Sequence, residues 1–450
     1  MYRMRCAILW LLFLATALPL SAQSQTPHTS VPAAAGTQSA AVYTALDADI
    51  DRFEFAELRN GIEALLPSLA RDYYSGMLAN RAGNPAESAV LLERSLPWAK
   101  QSDPKRVVGA LEALADDYVK TFRYSDGLRA YQDLFQNYSK QLDRAQQKDN
   151  DDDFQVLKLL RDAPAQTIQF DGPITLPTHR NAALDTIDTD LAVNGVTESW
   201  IIDTGANFST VSESFARRLG VKLSENKAQT QGITGAENEL RVAILPELRL
   251  GGAVVRNVVL LVLKDENLNV PAGPKDHYQI HAVLGYPVLQ ALGRFTLTKD
   301  HQFLAGPASP GSESGAPLYM YKLSPLMECR VGNRPLLFAF DSGADNSVFT
   351  DRYFHDFPSQ FHGLHKRRYG MGGAGGIRKM KVFYLPEARL DVGGVTATLH
   401  NVPVLPRFAT SLNKYYGNLG RDLTDAYDHF TVDFANMRLS MGSRIEEKPK

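Results

Sequence analysis

Two short stretches of the sequence carry the same reactive pattern. Trp200-Ile201-Ile202-Asp203-Thr204-Gly205-Ala206 recurs 138 residues later as Phe338-Ala339-Phe340-Asp341-Ser342-Gly343-Ala344. Each aspartate follows a short apolar run and enters a turn with glycine two places on, which predicts a carboxylate on a rigid strand-to-turn corner. Two such corners related by a pseudo-two-fold axis can face each other. Close carboxylates do not both stay ionised cheaply, so they share a proton and titrate as a pair. The ionised member can activate a water, and the protonated member can hydrogen-bond a carbonyl under attack. This chemistry needs no metal, thiol or histidine, and no cofactor is expected. Thr204 and Ser342 offer small hydroxyls that can tie the corners together. Gly205 and Gly343 permit the tight turns, and Ala206 and Ala344 keep a cleft floor small. The plainer reading of Asp203 and Asp341 is a pair of turn-capping carboxylates.

The flanking residues favour the facing pair, because the duplication extends well beyond the motifs. Val193-Asn194-Gly195 precedes the first and Val331-Gly332-Asn333 the second. Glycine-bearing turns follow at Gln231-Gly232-Ile233-Thr234-Gly235 and at Tyr369-Gly370-Met371-Gly372-Gly373. Leu245-Pro246-Glu247 answers Leu385-Pro386-Glu387, Gly251-Gly252 answers Gly393-Gly394, and Asn257-Val258 answers Asn401-Val402. Leu284-Gly285 and Leu419-Gly420 come next, then Phe295-Thr296 and Phe430-Thr431. An isolated Asp-Thr-Gly would mean little; the ordered set is specific.

Over about 185–445 this arrangement resembles the aspartic proteases. Each half looks most like a retropepsin subunit, with two such lobes fused in one chain as in the pepsin-like arrangement. The resemblance implies that Asp203 and Asp341 are catalytic. It implies glycine-bearing flaps at about 229–237 and 369–377, closing over substrate with Gly232, Ile233, Thr234 and Gly235 on one side and Tyr369, Met371, Gly372 and Gly373 on the other. It also implies ψ-shaped crossings behind the catalytic loops at Val283-Leu284-Gly285 and at Asn418-Leu419-Gly420-Arg421-Asp422. Asn418 departs from the pattern, being polar where the family has an apolar residue. The second flap is unusually rich in glycine and ends in Arg378, Lys379 and Lys381. The activity implied is that of an exported aspartic endopeptidase acting on extended polypeptide. The alternative is a non-catalytic peptide- or protein-binding protein on the same bilobal scaffold.

The rest of the chain must position these motifs. Its 450 residues suit several domains. Lys and Arg number 48 against 50 Asp and Glu, so no basic excess points to nucleic acid. Only Cys6 and Cys329 are present, which excludes a disulfide-dense scaffold or a cysteine-rich metal site. Residues 1–22 read as a cleaved signal peptide, with Arg3 and Arg5 before an apolar run that ends in Leu20-Ser21-Ala22. A periplasmic location is expected, with secretion as the alternative and no stable membrane insertion after cleavage. Residues 23–45 read as a flexible leader.

From about 46 to 145 the spacing of Leu58, Ile62, Leu65 and Leu69, then of Ala89, Leu92 and Leu96, is helical, and the helical domain is set at 46–160. Breaks at Gly83-Asn84-Pro85 and at or near Pro97 give the segment a tetratricopeptide-like look, with Tyr118, Tyr124 and Tyr131 as packing residues. This domain could hold a protein partner. The acidic run 149–153 reads as a hinge or a solvated helix start. The remainder divides into lobes at 166–305 and 318–445, joined by a Gly-, Pro- and Ser-rich linker over 306–317. Cys329 reads as buried packing, and His355, His362 and His365 as surface or groove-rim residues. The fold expected is therefore multidomain: an α-helical repeat-like domain before an all-β bilobal fold of two pseudo-symmetric retropepsin-like lobes.

Overall fold

A computed structural model describes residues 40–231, 237–273, 276–306, 314–373, 376–406 and 414–445. The proposed signal segment and most of the leader lie outside these residues. The chain divides into two compact units, one running through Leu142 and taking in Ala163–Ala165, the other holding Asp143–Asp162 and everything from Gln166. Among the described residues, no helix is long and apolar enough to cross a membrane.

The helical unit contains α1 (Ala40–Arg52), α2 (Phe55–Glu63), α3 (Leu69–Arg81), α4 (Pro85–Ser102), α5 (Pro104–Lys120) and α6 (Tyr124–Asn137), each packed on the next. Local chemistry sets the starts. Ser68 caps α3 by accepting from Arg71 N–H, while Asp103 caps α5 by accepting from Lys105 N–H at 2.8 Å, with Pro104 in the first turn. Pro97, expected to end this helix or sit near its end, lies inside α4, which runs on to Ser102. Tyr118, Tyr124 and Tyr131 are all buried between helices.

The second unit opens with α7 (Arg144–Leu160), started by a capping box of Asp143 and Gln146. The helical domain read as extending to 160 therefore ends earlier, at Leu142, because α7 packs on strands of the β-rich unit. The acidic run 149–153 lies inside this helix and is neither a hinge nor a helix start. Asp152 and Asp153 are buried, and Asp153 forms an ion pair with Lys322.

The first β-rich region follows: β1 (Thr167–Phe170), β2 (Ile174–Pro177), β3 (His179–Arg180), β4 (Ile187–Val193), β5 (Val196–Ile202), β6 (Ser209–Ser212), α8 (Glu213–Arg218), β7 (Ala228–Gln231), β8 (Glu237–Leu250), β9 (Ala253–Leu263), β10 (Asn269–Pro271), β11 (His277–Gln279), β12 (Ala282–Leu284), α9 (Tyr286–Ala291), β13 (Arg294–Thr298) and β14 (Gln302–Gly306). The second holds β15 (Ala316–Tyr321), β16 (Ser324–Val331), β17 (Arg334–Phe340), β18 (Val348–Phe349), α10 (Asp351–Asp356), β19 (Arg367–Gly373), β20 (Gly376–Val392), β21 (Val395–Val404), β22 (Gly417–Leu419), β23 (His429–Asp433) and β24 (Arg438–Met441).

One sheet runs β3-β4-β5-β12-β6-β9-β8-β7, with β1 on β9; the other runs β19-β20-β21-β18-β22-β17-β16-β15-β24-β23-β13-β14-β2. The duplicated sequence signs now have causes. Asn194-Gly195, both at positive φ, form the two-residue loop between β4 and β5, a conformation that Asn and Gly adopt readily. The Leu-Pro-Glu and Asn-Val pairs mark matching one-residue gaps in two ladders whose register does not change. Leu245 pairs with Val258 and Glu247 with Arg256, while Leu385 pairs with Val402 and Glu387 with His400. Asn257 and Asn401, at φ 57 and 53, stand there opposite Pro246 and Pro386, which have no N–H to give to the ladder. The Phe-Thr pairs meet each other: Thr296 on β13 pairs with Thr431 on β23, their hydroxyls 2.7 Å apart.

Candidate active site

Asp203 and Asp341 sit just beyond the ends of β5 and β17, both fully buried. A parallel strand backs each corner. Leu284 of β12 lies beside Ile202, and Leu419 of β22 lies beside Phe340. The backbone N–H of Asp203 donates to Leu284 O at 3.1 Å, and that of Asp341 to Leu419 O at 3.0 Å. Both strands also pair antiparallel on their other side, β12 with β6 and β22 with β18. These are the crossings expected at Val283-Leu284-Gly285 and at Asn418-Leu419-Gly420.

Each carboxylate is aimed by its own turn. Asp203 Oδ1 accepts from Gly205 and Ala206 N–H at 2.8 and 3.0 Å; Asp341 Oδ1 accepts from Gly343 and Ala344 N–H at 2.9 and 3.0 Å. This turn capping was the plain reading of the pair, and it coexists with their approach. A Cβ built on Gly205 would lie 2.6 Å from Asp341 Cγ, and one on Gly343 would lie 2.7 Å from Asp203 Oδ1. Each carboxyl thus rests on the glycine of the opposite loop, in space that no other residue leaves open.

Thr204 and Ser342 lock the two corners reciprocally. Thr204 N–H donates to Ser342 Oγ and Ser342 N–H to Thr204 Oγ1, both at 3.0 Å. The hydroxyls pass the bonding on, Thr204 Oγ1 to Phe340 O at 3.0 Å and Ser342 Oγ to Ile202 O at 2.9 Å. Ala206 and Ala344 are fully buried beneath. Burial pushes the Asp203 carboxyl well above the ordinary carboxylate range, and the charge of Asp341 adds to that. Burial also raises Asp341, against hydrogen bonds from Asn418, then from Asp203, Gly343 and Ala344.

The flap assignments divide. Gly232, Ile233, Thr234 and Gly235 lie outside the described residues, although β7 and β8 that flank them pair in register from Ala228–Leu240 to Gln231–Glu237. Tyr369, Met371, Gly372 and Gly373 lie on β19, whose ladder with β20 runs to Gly373–Gly376. Met371 is buried against Val348, Val382 and Leu405, with Tyr369, Met380 and Tyr384 packed around them. Cys329 is a buried free thiol on β16, pushed up by burial.

Two supporting hydroxyls escaped the sequence reading. Ser209 Oγ accepts from Gly285 N–H at 3.2 Å, and Ser347 Oγ accepts from Gly420 N–H at 3.1 Å. Ser347 Oγ also donates to Asp422 Oδ1 at 2.6 Å. Both serines stand six places after their aspartate, so extending the 138-residue offset would have found them.

A family model described as aspartyl protease matches residues 189–288, the span from β4 to α9 that holds Asp203. Among solved structures, the chain is similar to basic 7S globulin from soybean (11% identity, 61% of this chain and 96% of that one, TM-score 0.37). It is also similar to the aspartic proteinase from Irpex lacteus (11%, 61% and 98%, TM-score 0.38). A retropepsin-like aspartic protease from Rickettsia conorii matches at 19% identity over 32% of this chain and 94% of that one, with TM-score 0.20. No curated protein matches the sequence significantly.

Proposed function

We propose that the β-rich unit is an aspartic endopeptidase in which Asp203 and Asp341 form one dyad between two pseudo-symmetric lobes. The observation that carries this reading is the reciprocal seating of each carboxyl on the other loop's glycine, held by the Thr204–Ser342 exchange. With one proton between them, the ionised carboxyl takes a proton from water as the oxygen attacks a peptide carbonyl. The other carboxyl gives its proton to the carbonyl oxygen, and a tetrahedral diol results. Proton return to the nitrogen then releases the amine. The β7–β8 and β19–β20 hairpins supply edges on which an extended peptide can pair its backbone. We read the helical unit as a tetratricopeptide-like element that holds a protein partner, and residues 1–22 as the signal that exports the chain to the periplasm.

The test is cleavage of a diverse peptide library by the protein from about pH 3 to 8, read by mass spectrometry. Cuts that vanish in both Asp203→Asn and Asp341→Asn support one shared dyad. Peptide capture without cuts in any of the three proteins supports the binding alternative instead.

A further inference from the structure

The two carboxyls of the pair are not equivalent, and a single residue makes the difference. Val283 of β12 pairs with Ile201, and Asn418 of β22 pairs with Ala339. Ile201 and Ala339 each stand two places before their aspartate, so Val283 and Asn418 hold the same position behind the two corners. Val283 is fully buried and offers only methyl groups. Asn418 Nδ2 donates to Asp341 Oδ2 at 2.9 Å. Asp341 therefore accepts hydrogen bonds at both of its oxygens. Asp203 accepts from N–H groups at Oδ1 alone; its buried Oδ2 receives no N–H or hydroxyl among the described residues, and the carboxyl's remaining hydrogen-bonding neighbour is Asp341 itself.

A donor aimed at a carboxylate oxygen stabilises the charged form, and a buried carboxyl oxygen without a donor favours the proton. We infer that Asn418 is a positioning residue that fixes the shared proton on Asp203 and keeps Asp341 ionised. This rests on the reading of the pair as one dyad, and it assigns the roles within it: Asp341 takes the proton from water and Asp203 gives its proton to the carbonyl oxygen.

The other groups that face Asp341 do not supply this bias. Asp203, across the pair, also lowers Asp341 by hydrogen bonding to it, after Asn418, and it does so only with a proton that it already holds. Tyr415, just ahead of β22, is buried, and its hydroxyl is pushed well up by burial and then by Tyr321, Asp149 and Asp341. Neither group is a fixed cation, so the Asn418 amide is the donor that decides beforehand which carboxyl keeps the proton.

The full-length protein labelled with carbon-13 at the aspartate carboxyls can be titrated by NMR from about pH 3 to 9, with the two signals assigned through Asp203→Asn and Asp341→Asn. In the wild type, Asp341 is expected to ionise first and Asp203 to hold its proton to higher pH. Asn418→Val places the first region's own residue behind Asp341 and should raise its midpoint by about one unit. The acid limb of peptide cleavage should move by the same amount. Asn418→Ser, which keeps a short donor, should restore part of the shift. The reciprocal swap Val283→Asn with Asn418→Val should move the proton to Asp341.

Unchanged midpoints in folded Asn418→Val would overturn the inference, as would a wild type that holds its proton on Asp341. The titration needs no turnover, so the two readings fail separately. A protein that cuts nothing yet ionises in the stated order sinks the peptidase reading alone. One that cuts while the Asn418 variants titrate like wild type sinks this inference alone.

Discussion

Gly205 and Asp341 touch across the two halves: the α-carbon of one leaves so little room that any side chain there would enter the carboxyl of the other. Gly205→Ala should therefore separate the pair without removing either acid. The expected outcome is loss of peptide cleavage with a stability cost of about 1–3 kcal/mol, typical of overpacking a closed site. Thermal melting and the library assay on the same preparation check both. Full activity in Gly205→Ala would mean that the carboxyls work further apart than they stand.

Ser342→Ala removes the acceptor for Thr204 N–H and the donor to Ile202 O together. Buried groups left in this way cost about 1–3 kcal/mol each. Thr204→Val should cost a similar amount, and the two changes should couple by more than about 0.5 kcal/mol in a double-mutant cycle read by urea unfolding. Additive losses would show that the two hydroxyls act independently.

The ion pair of Lys322 and Asp153 anchors α7 within the β-rich unit. Asp153→Asn leaves the Lys322 ammonium without its anion in a largely enclosed place. A loss of about 3–5 kcal/mol is expected, as for other broken buried pairs. Replacing both residues with apolar ones, as in Asp153→Leu with Lys322→Met, should recover most of it. Hydrogen exchange along α7 is the measurement that separates the two variants.

In the helical unit, burial and the neighbouring Asp116 push Asp117 up to about 8, although Ser88 Oγ and Asn80 Nδ2 donate to it at 2.5 and 2.7 Å. The unfolded value is 3.8, so the folded unit binds the extra proton between these limits. Stability must then fall as pH rises through that window, by at most about 1.4 kcal/mol per pH unit. Asp117→Asn, which cannot ionise, should lose this slope. Hydrogen exchange of α3 to α5 at the two ends of the window would reveal it, and equal slopes in both proteins would refute it.

The corners, crossings and hairpins were legible because the chain writes each of them twice. Leu-Pro-Glu and Asn-Val were matched before their shared cause, a proline opposite a left-handed asparagine, was known. What the sequence hid were partners distant along the chain. The run 149–153 looked solvated because five polar residues in a row usually are, yet Asp153 meets Lys322 across 169 positions. Placing the chain up to 160 in the helical domain could not say which unit α7 packs on. Asn418 stood out as polar in an apolar place, but its reason lies 77 residues upstream, on Asp341.

The pairing of β13 with β23 sets an order of events for a growing chain. The first β-rich region ends at Gly306, yet the outer edge of β13 meets its neighbour only when His429–Asp433 arrive. Until then that edge is an open template for any other strand. Contacts this distant also slow the search for the native state. Synthesis through β23 must therefore precede closure of the sheet that joins the two halves, and a product cut short before β23 would carry both aspartates with β13 still unpaired on that side.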